Sequence, residues 1–331
     1  MKKVYSVLAL ACTCMFLQSC SKDGASTNGT AKDENSSSLN QSNANYIWVP
    51  EVSNTTSLLN SVFFVNKTTG WTTGYNGTIL KTTDGGSTWL PQSSQTFEPL
   101  ICTNFINAND GWIVGGSGEI LHTNNGGSSW SFQQSNTFQV LFGVDFLSDK
   151  IGYVVGGSGT VLKTTDGGLT WTPQNSGVFS ALISVYFRDE LNGYAVGDGG
   201  TIISTSDGGN TWMQQSSNVF TSLRKPTALG KEACIVGDAG VVLITNNNGA
   251  TWLPKNSGVS QNLLYASFPD VLHGWAVGTN GTIIKTNNVG RTWQQEISGV
   301  SNTLYSIYFI DSTTGWAVGD GGTILKYTPA N

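Results

Sequence analysis

An all-β fold of seven four-stranded blades, a β-propeller, is what this sequence predicts, on three observations. A nonapeptide of the type "KTTDGGSTW" (81–89) recurs six times, ending at Trp89, Trp130, Trp171, Trp212, Trp252 and Trp293. A Gly-aromatic-x-x-Gly step falls at Trp71, Trp112, Tyr153, Tyr194, Trp275 and Trp316, with Cys234 in the aromatic slot of a seventh copy. The last copy stops short of its own nonapeptide, and the stretch beginning at residue 46 has the pattern of the missing strand. A spacing of 40 or 41 residues matches a propeller blade, and sites of chemistry do not repeat in this way.

Each unit reads as four short strands. An alternating apolar run such as "LYSIYF" (304–309) gives the first, and the Gly-aromatic step the second. A β-rich run such as "GTILKTT" gives the third, and the Trp run the fourth. No stretch holds a helical period. "YIWVP" (46–50) matches "STWLP" (87–91) and "ATWLP" (250–254), so Trp48 makes seven Trp strands for seven Gly-aromatic steps. The N-terminal strand is expected to complete the last blade, which removes two open sheet edges. Residues 46–331 are expected to form this one domain.

The nonapeptide is an Asp-box, a turn between third and fourth strands. Asp84, Asp166 and Asp207, or Asn125, Asn247 and Asn288, offer an oxygen to backbone N–H groups within the turn. Glycines there permit positive φ, and the Trp packs between sheets. Calcium needs about six oxygen ligands, whereas each box holds at most one acid, so the boxes are read as scaffold.

The N-terminus is a targeting segment. Lys2 and Lys3 precede an apolar run from Val4 to Leu17, and Leu17-Gln18-Ser19-Cys20 resembles a bacterial lipobox. Residues 1–19 are read as a signal peptide and Cys20 as the lipidated residue. With residues 20–45 as a polar tether reaching about 25–30 Å, the protein is expected at the cell envelope, anchored to a bacterial membrane. Of the remaining cysteines, Cys102 and Cys234 are expected to be unpaired and core-like.

Charged residues are 11% of the chain and the net charge is −5, with no basic stripe, so nucleic-acid binding is not expected. No cofactor motif, metal cluster, Walker loop or nucleophile elbow is present, and no enzyme is expected. His122 takes an outward strand position and His273 lies in a distant turn. Asp198, Asp238 and Asp320 share one turn slot and are read as turn formers.

The joined motifs in "GWAVGDGGTILK" (315–326) and "GYVVGGSGTVLKTTDGGLTW" (152–171) resemble the repeats of the photosystem II assembly factor family. The resemblance covers residues 46–331 and implies a seven-bladed propeller that binds protein partners. In photosynthetic members an arginine-rich patch is thought to meet assembling membrane proteins. Asp-boxes also occur in sialidases, so a glycan-binding or sialidase-like propeller is the alternative. That site needs three converging arginines, and Arg188, Arg224 and Arg291 occupy different slots of the repeat.

One periodic feature points to a partner, either a protein or a cell-surface glycan. Eight residues past the strand Trp stand Phe97, Phe138, Phe179 and Phe220, then Ser260, Ser301 and Thr56. Two readings are open. The four rings form an exposed aromatic arc with Arg224 and Lys225 as an adjacent cationic spot, or each ring folds onto its own blade as core.

Overall fold

The computed structural model describes residues 45–229 and 232–330. Their strands form seven antiparallel four-stranded sheets, six of them made of consecutive strands. The seventh joins Leu304–Asp311, Thr314–Gly319 and Ile324–Pro329 to the N-terminal strand Tyr46–Glu51. Tyr46 pairs with Pro329 and Glu51 with Ile324, so the last blade is closed by the first strand of the domain.

The first strands of the blades contact one another around a ring and line a central channel. Antiparallel order then assigns every connection to one of two faces. On the box face, five of the Asp-boxes rest on the first turn of their own blade, as in Gly85 N–H to Thr68 O at 2.8 Å. On the opposite face, each turn between second and third strands bonds the loop arriving from the preceding blade, as in Gly157 N–H to Val140 O at 2.9 Å. We call this the loop face.

Blades are joined by an aromatic sandwich. Trp71 of the first blade stacks on Phe105 of the second at 3.7 Å, and Trp130 meets Phe105 edge-on at 5.9 Å. The Trp71 indole donates to Gly126 O of the second blade's Asp-box, and the Lys81 ammonium donates to the same carbonyl at 2.8 Å. Each first-strand Phe lies flat over the glycine that opens its own second strand. A Cβ on Gly111 would stand 2.2 Å from the Phe105 ring, so only glycine fits beneath it.

The fifth blade departs from this pattern. It has Ala228 in the Phe slot, and the glycine opposite is replaced by Ala233. The two changes belong together, since removing the ring removes the reason for glycine. The first strand, Leu223–Leu229, keeps the same bulge after its first residue as the other blades. This repeat is one residue shorter than its neighbours, and the register puts the shortening between Ala228 and Ala233. Pro226 is tolerated because its slot faces the neighbouring blade rather than its own ladder. Val62 and Thr103, in the same slot, donate to Ser306 and Ser61 across the blade boundary.

Candidate functional site

The Asp-boxes are self-contained turns. Asp84 Oδ1 accepts from Thr82 Oγ1 at 2.8 Å and from Thr88 N–H at 2.9 Å, while Oδ2 accepts from Thr88 Oγ1 at 2.7 Å. The Thr88 hydroxyl, then its N–H, then Thr82 hold the Asp84 carboxyl down at about 2. Asp207 is likewise held at about 2 by Thr211. In the amide boxes the second bond reverses: Asn125 Nδ2 donates to Ser129 Oγ at 2.8 Å, and Asn247 and Asn288 do the same to Thr251 and Thr292. Asp166 repeats the Asp84 bonds with Thr164 and Thr170. Every oxygen is spent inside the turn, which leaves no converging ligand set. Among the described residues no group of His, Cys, Asp and Glu is arranged to hold a metal ion.

The loop face is different. Phe97, Phe138, Phe179 and Phe220 are 90%, 93%, 94% and 92% exposed, on four consecutive interblade loops. None contributes to a blade core, and such exposure is rare for a phenyl ring. Each loop is braced from within. Ser135 Oγ donates to Thr137 O at 3.3 Å, and Ser94, Ser176 and Ser217 repeat this bond. The backbone that presents each ring is therefore fixed beneath it.

The cationic spot expected beside the arc is not a free surface charge. Arg224 donates twice to Asp238, at 2.8 and 2.7 Å, so its guanidinium is already matched by a turn carboxylate. Lys225 turns into the channel, where its ammonium lies 4.8 Å from the Tyr265 ring centre. The strand pleat decides this, because consecutive residues point in different directions. The other arginines are paired in the same way, Arg188 with Asp189 and Arg291 with Glu232.

The channel holds two hollows. One, of about 360 Å³, lies among Ile101, Phe142, Ile183, Leu264, Tyr305 and Arg224. The other, of about 200 Å³, includes Asp145, Tyr186, Lys225 and Tyr265. Burial pushes the Asp145 carboxyl up to about 6, against the opposing pull of Lys225 and the 2.7 Å bond it accepts from Phe187 N–H. Cys102 lines this channel and also packs against the core between the second and third blades, Cys234 is buried between blades, and both are free thiols. His122 is not outward: it is half-buried and stacks on Trp112 at 4.7 Å. Asp198, Asp238 and Asp320 do open the loop-face turns. Cys20 and the segment around it lie outside the described residues.

Sequence reasoning found the Phe arc from its period and missed the carboxylates beside it. Glu98 and Glu119 are not periodic, and only the topology shows that their segments share a face.

Comparison with known proteins agrees with this architecture. A structure of YCF48 bound to D1 peptide aligns with a TM-score of 0.72 at 22% identity, covering 86% of this chain and 97% of that one. YCF48 from Cyanidioschyzon merolae aligns at 0.71 with 22% identity over 85% of this chain and 98% of its own. A Niastella koreensis GH74 enzyme reaches 0.68 at 15% identity, over 82% of this chain but 52% of the enzyme. These likenesses are of fold. Among curated proteins no sequence matches the chain. Residues 40–138, 175–263 and 254–328 match the family described as photosynthesis system II assembly factor YCF48, and the chain belongs to that family.

Proposed function

We propose that this protein is a non-enzymatic, membrane-tethered propeller that captures a protein segment on its loop face, at the arc Phe97, Phe138, Phe179 and Phe220. The observation that carries the reading is the near-complete exposure of four phenyl rings on consecutive, internally braced loops. Rigid aromatic anchors supply contact area at little entropic cost, which is the composition of a binding hot spot. The family supports a scaffold role, and one relative of the same fold is a YCF48 bound to D1 peptide. The tether is argued from Leu17 to Cys20 and the polar run after it, which set the protein at the cell envelope on a lipid anchor.

A sialidase-like glycan site has less support. It requires three cations at one carboxylate, and Arg188, Arg224 and Arg291 are each held by a separate carboxylate of this chain. The test is capture of partners from the organism's own membranes by the lipidated protein. Wild type should retain a stoichiometric protein, and the variant with all four Phe changed to Ser should lose it at unchanged thermal stability. Equal capture by the variant, or hydrolysis of glycan by wild type, overturns the reading.

A further inference from the structure

The loop face has a charge of one sign. Its interblade loops span residues 52–58, 93–99, 134–140, 174–181, 216–222, 256–262 and 297–303. Its turns span 75–78, 116–119, 157–160, 198–201, 238–241, 279–282 and 320–323. These fourteen segments contain no Lys, Arg or His, and they carry Glu98, Glu119, Asp198, Asp238 and Asp320. Arg224 reaches them from the first strand of the fifth blade, and Asp238 occupies it at 2.7 Å. The box face, by contrast, mixes Lys67, Lys150, Arg188 and Arg291 with its acids.

One point on this face combines the charge with the aromatic arc. Glu119 stands where five other blades place Thr78, Thr160, Thr201, Thr282 and Thr323. Its Oε1 accepts from Thr96 Oγ1 at 2.9 Å, and its Oε2 has no hydrogen-bond partner among the described residues. Burial pushes its carboxyl up first, and the neighbouring Glu98 carboxylate adds to that. Glu119 lines a surface hollow of about 550 Å³ with Phe132, Gln133, Asn136 and Phe138. Phe132 is 53% exposed, so two accessible phenyl rings flank an acid that lacks a cation. A guanidinium or ammonium entering here gains an ion pair and an aromatic face together.

We propose that the partner segment docked on the loop face is basic and apolar, and that one of its Lys or Arg side chains seats in the hollow between Glu119 and Phe138. This rests on the protein-binding reading above and adds the chemistry of the partner. Apolar residues of the segment cover Phe97, Phe179 and Phe220, while the remaining carboxylates draw it to this face and set its orientation.

The test uses two labelled dodecapeptides, one alternating Arg and Leu, the other Glu and Leu, titrated against the full chain. The Arg-Leu peptide should bind at least tenfold more tightly than the Glu-Leu peptide, and more weakly as salt rises. Glu98→Gln with Glu119→Gln should weaken Arg-Leu binding about fivefold, as the loss of an ion pair predicts. Phe138→Ser should do likewise. Asp149→Asn with Glu190→Gln, on the box face, should change nothing. If the Glu-Leu peptide binds as well and its binding depends on the four Phe, the charge inference falls and the docking face stands. If binding of the Arg-Leu peptide ignores both the Phe and the Glu substitutions, the site is wrong. The same melting temperature in all variants shows that folding is not the cause.

Discussion

Trp48 meets Phe309 edge-on at 5.8 Å and 88°, the geometry in which Trp130 meets Phe105 inside the ring. A residue from the N-terminal strand thus fills the box-Trp position of a blade that has no Asp-box. The substitution is incomplete. Trp275 stacks on Phe309 at 3.7 Å, but its indole N–H has no acceptor among the described residues, because the box carbonyl that Trp71 finds in Gly126 does not exist here. Lys285 turns instead to the Tyr327 hydroxyl at 2.9 Å, and Trp48 Nε1 donates to Glu296 at 2.9 Å.

Closure should therefore depend on the N-terminal strand. Trp48→Ala removes a ring that is 7% exposed and should cost about 3–5 kcal/mol in denaturant unfolding. Deleting residues 46–52 leaves the strand Ile324–Pro329 as an uncovered edge and should cause aggregation, measurable by light scattering. Deleting residues 21–44 should leave the melting temperature unchanged. A wild-type melt for the 46–52 deletion would dismiss the clasp.

The glycine beneath each Phe gives a second expectation. Gly111→Ala forces a methyl into the Phe105 ring and should destabilise by about 1–3 kcal/mol. In a Phe105→Ala background the same change should cost little, a coupling that a double-mutant cycle reads directly. The fifth blade, with Ala228 and Ala233, already carries that combination.

Asp145 should make stability depend on pH in an unusual direction. Its folded pKa of about 6 lies above the ordinary aspartate value of 3.8, so its ionisation opposes folding. The contribution is favourable at low pH and is lost as pH rises from about 4 to about 6. Asp145→Asn should stabilise the protein at pH 7 by about 1–2 kcal/mol, discounted because the group lines a channel rather than a dry core. The gain should vanish below pH 4. Asn104, in the same slot of the second blade, already accepts the equivalent bond from Phe146 N–H at 3.2 Å.

The Asp-boxes act in the opposite sense. Asp84 and Asp207 are held at about 2, so their contribution is present above pH 4 and is lost as pH falls toward 2. Changing Asp84, Asp166 and Asp207 to Asn should move the acid unfolding midpoint to lower pH, followed by tryptophan fluorescence. An unchanged midpoint would show that the boxes do not set acid stability.

A further expectation concerns the anchor. Cys20→Ser should shift the protein from the membrane pellet to the soluble fraction with its fold intact, and retention at high salt would refute the lipid attachment.

The sequence by itself determined the blade count, the strand order and the closure, because each depends on local pattern repeated at one interval. Seven Gly-aromatic steps and Trp48 were enough. It also marked Phe97, Phe138, Phe179 and Phe220, since a period survives without coordinates. Whether those rings were buried was a tertiary matter, and the structure leaves all four exposed on loops braced by their own Ser-to-backbone bonds. Lys225 and Arg224 show the limit most clearly. Adjacent in sequence, they diverge, one into the channel against Tyr265 and the other onto Asp238 of the loop face. The uniform charge of the loop face and the unpaired Glu119 were likewise invisible in the linear chain, because a face of a propeller is assembled from fourteen separate segments by closing the ring.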